Sequence, residues 1–279
     1  MKYKISKNTI EIFGKDDFNP EHILECGQIF SFEKTTEGYV VFSADKRAKI
    51  IENNRGFSIK TENPKYFENF FDLKTDYGAI KTKFSNIPLL KEPIKFGSGI
   101  RILKQDLFET LISFIVSANN NIKRIKLILN RMRARFGTDM GEFYAFPTRE
   151  QLLLATENDF AELGAGYRAK YLFNVIRQVD EKILKNLSVL ETEQLRKKLI
   201  ELSGVGPKVA DCILLFAYSK NDVFPIDTWM QKMYNKFYKA EKNLTREQIR
   251  HNLTAEFKEL SGYAQQYLFY FMREEIKGD

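Results

Sequence analysis

One lysine in the second half of the chain has the surroundings that covalent chemistry requires. Lys208 follows the turn LSGVGP and lies in the first turn of a predicted helix. The helix macrodipole and burial both disfavour the ammonium form of a lysine at such a position. An uncharged amine is a nucleophile, so this segment predicts a lysine that attacks an electrophilic carbon.

Asp227 lies 19 residues after Lys208, in the segment VFPIDTW, where Pro225 precedes the start of another predicted helix. A carboxylate at such a position is often only a helix N-cap that accepts hydrogen bonds from backbone amides. The structural and chemical roles are compatible. An aspartate fixed at a helix N-terminus stays ionised, and it could stabilise positive charge that develops on a substrate.

The turn before Lys208 has the pattern of a phosphate-binding hairpin. Gly204 and Gly206 can adopt backbone angles that other residues avoid, and they let a phosphate approach the backbone around Val205. The next helix begins with free N–H groups that point at this phosphate and read no base. The segment therefore predicts a helix-hairpin-helix motif. The alternative to an enzyme that uses Lys208 as a nucleophile is a non-enzymatic module that holds DNA with this motif.

The composition limits the partners that this chain can have. With 43% apolar and 29% charged residues among 279, it is typical of a globular protein that builds its own core, and we expect a monomer. The net charge of +7 and the pI of about 9.1 favour a polyanion, either nucleic acid or an anionic membrane surface. No apolar run suits a signal peptide or a membrane span. We therefore expect no membrane association and a cytoplasmic protein, nucleoid-associated if the source is prokaryotic.

Few side chains are available for metal or redox chemistry. The two cysteines, Cys26 and Cys212, do not indicate a disulfide framework and cannot build a four-cysteine zinc or iron–sulfur site. His22 and His251 lie far apart in the sequence, and we expect them at the surface or in the core rather than as general bases. No cofactor is expected to be required.

The predicted secondary structure changes along the chain from strands to helices. The first sixty residues alternate in short runs separated by turns, which predicts an antiparallel sheet from YKIS, TIEIF, QIFSFE, YVVFSA, AKIIE and GFSIK. From about residue 100 the period is helical, and we expect helices around 107–115, 122–136, 167–184, 191–201, 206–218, 226–238, 246–259 and 263–275. The predicted fold is α+β, with an N-terminal antiparallel β-sheet domain over residues 1–95 and an all-helical helix-hairpin-helix domain over 96–279.

Together these features resemble the helix-hairpin-helix (HhH-GPD) DNA glycosylase superfamily, and within it the 8-oxoguanine DNA glycosylase branch. Five strings carry the second resemblance: LECGQIFSF at 24–32, SFIVSANNNIKRI at 113–125, LGAGYRAKY at 163–171, LSGVGPKVADCILLFA at 202–217 and GYAQQYLF at 262–269. The resemblance implies a bifunctional glycosylase and AP lyase acting on double-stranded DNA that contains 8-oxoguanine. In that family the lysine attacks C1′ of deoxyribose, forms a Schiff base and cleaves the strand by β-elimination.

A glycosylase for another damaged base is the alternative within the superfamily. Endonuclease III-type members usually carry a four-cysteine cluster after the catalytic aspartate, and this chain cannot build one. Alkylpurine members commonly lack the lysine. Both comparisons favour oxidised guanine as the substrate.

The resemblance also assigns residues to the damaged base. Oxidation turns the N7 acceptor of guanine into an N–H donor, so one carbonyl can separate the lesion from guanine. The glycine that matches Gly27 supplies that carbonyl, and Gln265 matches the residue that reads the Watson–Crick edge. Phe269 and Cys212 match the two faces of a sandwich around the flipped base. Without the resemblance, we would place Phe269 and Cys212 in the core and Gly27 in a turn.

A second group is implied for the opposite strand and the backbone. Asn119 would fill the vacated space, Tyr167 would wedge beside the orphaned base, and Arg124 and Arg168 would bind cytosine, which predicts a preference for cytosine opposite the lesion. Trp229 matches a further DNA-binding position but departs from the pattern, because eukaryotic members usually have there a histidine that contacts the 5′ phosphate of the flipped nucleotide. The family also implies a monovalent or divalent cation at the carbonyls of Leu202 and Val205.

Overall fold

The computed structural model describes residues 1–238 and 244–275. Within these ranges the N-terminal part forms one six-stranded antiparallel sheet and the rest is mostly helical, which confirms the predicted α+β fold. The strands are β1 (Lys2–Ile5), β2 (Thr9–Phe13), β3 (Phe32–Thr35), β4 (Gly38–Ser43), β5 (Lys46–Asn53) and β6 (Gly56–Lys60). Their order is β1-β2-β6-β5-β4-β3, so the first hairpin joins the later four-stranded meander where β2 pairs with β6.

Alternating side chains give the sheet one strongly buried face. Ile10 and Ile12 of β2 point to the same side as Ile59 of β6, and they pack in a cluster with aromatic residues such as Phe67. The predicted strand QIFSFE is only partly confirmed. Residues 28–31 are irregular. The Gln28 side-chain amide donates to the carbonyls of Ile23 and Arg101, both at 2.8 Å, and the Gln28 backbone carbonyl accepts from the Gln105 side chain at 2.8 Å instead of from a neighbouring strand.

The helices follow the predicted order in the second part of the chain. Their bounds are α1 (Pro20–Leu24), α2 (Pro64–Phe70), α3 (Tyr77–Lys83), α4 (Pro88–Phe96), α5 (Leu107–Ser117), α6 (Ile122–Phe136), α7 (Arg149–Leu153), α8 (Glu157–Glu162), α9 (Arg168–Gln178), α10 (Glu181–Leu187), α11 (Thr192–Ile200), α12 (Pro207–Phe216), α13 (Thr228–Tyr238), α14 (Arg246–Phe257) and α15 (Ser261–Glu275). A short 3₁₀ turn, Lys258–Leu260, joins α14 to α15. No helix of the described ranges is long and apolar enough to cross a bilayer.

One predicted helix, 167–184, is wrong as a single element. The chain leaves the helical conformation at Val179, and Asp180 then caps a new helix by accepting a hydrogen bond from the Ile183 amide at 2.6 Å. The six helices α1–α4, α7 and α8 were not predicted. They have nine residues or fewer, so they are too short to show a clear hydrophobic period.

Buried polar contacts join the sheet region to the helices. Glu109 of α5 accepts hydrogen bonds from the Ser31 hydroxyl at 2.6 Å and from the Ala44 amide at 2.7 Å, and it forms a buried ion pair with Arg133 of α6. These contacts fix the β3 and β4 ends of the sheet against α5 and α6. The domain division at residue 95 stays a prediction; it falls inside α4, which packs against α15.

Candidate active site

A small cavity lies where α12, the start of α13, α15 and the loop after α1 meet. About 30 Å³ of it is free, which is room for little more than a water molecule. Its lining contains six of the residues that the sequence predicted, namely Gly27, Lys208, Cys212, Asp227, Gln265 and Phe269. A wider depression of about 830 Å³ on the sheet holds none of the predicted residues.

Lys208 reaches this cavity from the second position of α12. Its Nζ atom is 5.3 Å from the ring centroid of Phe114, and Asp227 lies in the same lining. The Asp227 carboxylate also accepts a hydrogen bond from the Met230 amide at 2.9 Å. Asp227 therefore caps α13 and also borders the cavity. Its position is compatible with both the structural and the chemical role.

Cys212 lies one helical turn after Lys208 and is buried. Burial raises the pKa of its thiol to about 11, while the neighbouring Lys208 side chain acts in the opposite direction. The thiol is therefore protonated at neutral pH and presents a neutral, polarisable surface to the cavity.

An ion-pair network with a buried pair at its centre holds α12 in place behind the lysine. Asp211 binds Arg196 of α11, with 2.7 Å between Oδ1 and Nε, and Arg196 in turn binds Glu247 of α14 at 2.9 Å. Burial raises the pKa of Asp211 to about 6, and Arg196 opposes this increase. The network ties α12 to two neighbouring helices, and this fixes the position of the Lys208 backbone.

The hairpin between α11 and α12 uses its two glycines differently. Gly204 has φ of +80°, and a Cβ there would lie 2.7 Å from the Cβ of Tyr171. Gly206 has φ of −85°, which any residue adopts, so the expectation of an unusual backbone angle is right only for Gly204. A Cβ at Gly206 would meet no atom within 4 Å, which leaves the backbone open to an approaching group. Val205 is buried between them.

The base-reading candidates meet at the other side of the cavity. Gly27 has φ of +87°, and a Cβ built on it would lie 2.9 Å from the Phe269 ring. Gln265, one turn earlier on α15, is buried, and its Oε1 atom has no hydrogen-bond partner among the described residues. Phe269 thus closes the cavity against Gly27, and a purine can enter only if this ring moves.

The four residues predicted for the opposite strand cluster at the α5–α6 turn and the start of α9. Asn119 is exposed with φ of +49°, and Tyr167 is 57% exposed with its hydroxyl 3.3 Å from the Ala118 carbonyl. Arg124 is exposed and donates to the Gly164 carbonyl at 3.0 Å.

Arg168 differs from its three neighbours because it is only 4% exposed. It donates to the carbonyls of Ala118 at 2.8 Å and Asn119 at 2.7 Å. Arg168 therefore supports the loop that carries Asn119. Its predicted contact with cytosine, like the other roles assigned to this group, stays a prediction.

Trp229 lies half-buried in the first turn of α13, two residues after Asp227. The Nζ atom of Lys232 is 5.1 Å from the indole ring, so a positive charge accompanies the indole at this position. The assignment of Trp229 to DNA binding stays a prediction.

Four residues of the cavity lining were missed by the sequence analysis: Phe114, Phe216, Pro225 and Gln266. Phe114 and Phe216 stack on each other with centroids 5.5 Å apart, and both lie in strings that carry the resemblance. In the sequence these phenylalanines cannot be distinguished from core residues. Only their closeness to Lys208 in the folded structure identifies them as part of the site. Within the described residues no group of three or more His, Cys, Asp or Glu side chains could hold a metal ion.

Comparison with protein-family models divides the chain into two matches. Residues 12–111 match the 8-oxoguanine DNA glycosylase N-terminal domain, and residues 112–259 match the HhH-GPD superfamily of base excision DNA repair proteins. The second match alone covers more than half of the chain.

Individual relatives agree with these models. The chain is 33% identical to the N-glycosylase/DNA lyase of Saccharomyces cerevisiae, over 87% of this chain and 73% of the relative. It is 32% identical to a probable N-glycosylase/DNA lyase of Methanothermobacter thermautotrophicus, over 72% of each chain.

Among solved structures, the fold is similar to the Clostridium acetobutylicum 8-oxoguanine glycosylase/lyase in complex with double-stranded DNA that contains cytosine opposite 8-oxoguanine. The TM-score is 0.91 and the identity 36%, over 99% of both chains. The cavity, the hairpin and these matches agree: the chain belongs to the HhH-GPD superfamily of base excision DNA repair proteins, with the N-terminal domain of 8-oxoguanine DNA glycosylases.

Proposed function

We propose that this protein is a bifunctional DNA glycosylase and AP lyase that excises 8-oxoguanine from double-stranded DNA. One observation carries the proposal. A lysine, an aspartate, an amide and an aromatic ring line one cavity, as Lys208, Asp227, Gln265 and Phe269 do. A DNA-binding module without catalysis would need the hairpin and its charge but not a cavity of this composition.

The chemistry begins at the Lys208 amine. Its lone pair attacks C1′ of the flipped nucleotide, and the C1′–N9 bond breaks with its electron pair leaving on the base. Loss of the amine proton and opening of the sugar ring then give a Schiff base between Nζ and C1′. Removal of a proton from C2′ expels the 3′ phosphate and cleaves the strand. Asp227 stabilises the positive charge on the sugar while the base departs.

The lesion is recognised by the opposite wall of the cavity. The Gly27 carbonyl accepts a hydrogen bond from the N7–H group that only the oxidised base has. Gln265, whose Oε1 atom is buried without a partner in the described chain, hydrogen-bonds to the Watson–Crick edge. The base enters as Phe269 moves away from Gly27, and it then stacks between Phe269 and Cys212.

DNA is held by contacts on both strands. Gly204, Val205 and Gly206 approach a phosphate at the start of α12, where a Cβ on Gly206 would face open space. Trp229 and the nearby Lys232 meet the backbone of the damaged strand. Asn119, Tyr167, Arg124 and Arg168 occupy the gap opposite, with cytosine as the preferred partner.

The hairpin could also hold a cation through its backbone carbonyls. The Leu202 carbonyl accepts from the Val205 amide at 3.1 Å and keeps a second lone pair, so a hairpin cation would fit there as a structural ion, without a part in the reaction. The enzyme acts as a monomer in the cytoplasm and is associated with the nucleoid if the source is prokaryotic.

A strand-cleavage assay tests the proposal. Duplexes with 8-oxoguanine opposite each of the four bases are incubated with excess protein. We expect excision followed by strand cleavage, fastest opposite cytosine, and no product from Lys208→Gln. Undamaged guanine duplexes are the control substrate. Binding of all duplexes without any cleavage would instead support the non-enzymatic alternative.

A further inference from the structure

The loop that carries Gly27 is held by two side chains of α15 that the proposed chemistry does not use. The Gln266 amide donates to the Cys26 carbonyl at 3.1 Å, across a sequence separation of 240 residues. The Nη2 atom of Arg273 donates to the Glu25 carbonyl. Gln266 is 2% exposed and Arg273 is 6% exposed.

These bonds occupy the carbonyls on either side of Gly27 and leave the Gly27 carbonyl itself available. The carbonyls of residues 25 and 26 accept from α15, and the Gln28 carbonyl accepts from the Gln105 amide at 2.8 Å. In the part of the chain that the structure describes, no donor is bound to the carbonyl of Gly27. The loop is therefore fixed on both sides of the Gly27 carbonyl, which has no partner among the described residues.

The helix that holds the loop is also the helix that reads the base. Gln265, Phe269 and Arg273 are spaced four residues apart, so they share one face of α15, and Gln266 follows directly after Gln265. A base bound by both the Gly27 carbonyl and the Gln265 amide requires a fixed distance between the two. Anchoring the loop to α15 through Gln266 and Arg273 sets that distance directly.

We infer that Gln266 and Arg273 are positioning residues for lesion specificity. They hold the Gly27 carbonyl where it can accept a hydrogen bond from N7–H of the flipped base. This inference rests on the proposed function. Neither side chain takes part in bond breaking at C1′. Their loss should therefore affect recognition of the oxidised base more than it affects the lysine chemistry on a sugar that already lacks its base.

Substitution by methionine separates donation from packing. Gln266→Met and Arg273→Met keep an unbranched buried side chain but remove the N–H donors. Tyr267→Phe is the matched control, since it lies on the same helix and loses a buried hydroxyl that has no hydrogen-bond partner among the described residues. Arg273→Lys keeps one donor for the Glu25 carbonyl and should restore part of the loss.

Two substrates then give the decisive comparison: a duplex with 8-oxoguanine opposite cytosine, and the same duplex with a preformed abasic site. For each methionine variant we expect the single-turnover rate on 8-oxoguanine to fall about tenfold more than the rate on the abasic site, the effect of one misplaced buried hydrogen bond. Tyr267→Phe should keep the wild-type ratio of the two rates. Equal losses on both substrates, or no loss on either, would overturn the inference.

A binding measurement gives a second readout that does not depend on catalysis, and either methionine variant is sufficient for it. In a Lys208→Gln background, the ratio of the Kd for a guanine duplex to the Kd for an 8-oxoguanine duplex should fall about tenfold with either methionine substitution. An unchanged ratio contradicts the inference. Failure of the proposed function looks different, because the wild-type protein would then excise no 8-oxoguanine at all.

Discussion

Asp227 combines a structural and a chemical role that one substitution can separate. Its Oδ1 atom caps α13 through the Met230 amide, while the carboxylate borders the cavity beside Lys208. An asparagine keeps an oxygen that can accept the same hydrogen bond, and asparagine is as good an N-cap as aspartate. It does not carry the negative charge that stabilises a cationic sugar.

We therefore expect Asp227→Asn to leave the melting temperature close to that of the wild type and to slow 8-oxoguanine excision about 100-fold, the size of loss seen when one preorganised electrostatic group is removed from an active site. Differential scanning fluorimetry and single-turnover kinetics on the same preparation check both halves. A large fall in melting temperature with a proportionate loss of active protein would mean that Asp227 acts only as a cap.

At the level of single residues, the sequence predicted the parts of the site whose signals are local. Lys208 and Asp227 could be found because each stands at a recognisable helix start. Gln266 could not be found, since its partner is the Cys26 carbonyl, 240 residues away, and glutamine at a helix position carries no sign of such a contact. The closure of the cavity by Phe269 against Gly27 also depends on tertiary packing and leaves no pattern in the sequence.

Among the elements, the hairpin between α11 and α12 contains its own matched pair of glycines. An alanine at position 204 would adopt a positive φ and place its Cβ 2.7 Å from the Cβ of Tyr171, whereas an alanine at 206 would have an ordinary φ and open space around it. We expect Gly204→Ala to lower the free energy of unfolding by at least about 1 to 2 kcal/mol, the strain of a left-handed residue alone. Gly206→Ala should change it little.

At Gly206 we expect substitution to weaken DNA binding rather than to lower stability. If a phosphate approaches the open backbone there, a methyl group weakens binding to undamaged duplex although the free protein is as stable as the wild type. Chemical denaturation and fluorescence anisotropy measure the two effects separately. Equal stability of the two variants would contradict the strained geometry described for Gly204. Unchanged DNA affinity of Gly206→Ala would contradict the proposed phosphate contact at the hairpin.

The elements themselves were predictable to different degrees. Helices α11 and α12 begin and end close to the expected residues because turn residues and an apolar period bound them, and α14 does so because Thr245 and Gln248 form a capping box at its start. The predicted helix 167–184 is divided because Asp180 competes for the backbone as an N-cap, and a hydrophobic period spanning both halves conceals this break. Strand β3 begins at Phe32 instead of in QIF because Gln28 is used to anchor the loop.

Across the whole molecule, the cavity is assembled from segments that are far apart in sequence. The loop at Gly27 comes from the sheet region, Lys208 from the hairpin helix, and Gln265 from the last helix. Local patterns could predict the α+β class and the order of sheet and helices. They could not predict the convergence, which depends on buried contacts such as the one between Glu109 and Arg133. Only the resemblance to a family indicated in advance that these segments meet.

In the proposed mechanism the Lys208 amine becomes covalently bound to the deoxyribose of the damaged nucleotide. The most direct test is to reduce the reaction on an 8-oxoguanine duplex with borohydride, digest the trapped complex with nuclease and protease, and locate the sugar remnant by mass spectrometry. The account predicts the remnant on the peptide that contains Lys208, and no trapped complex with Lys208→Gln. A remnant on any other amine, or equal trapping of both proteins, would contradict it.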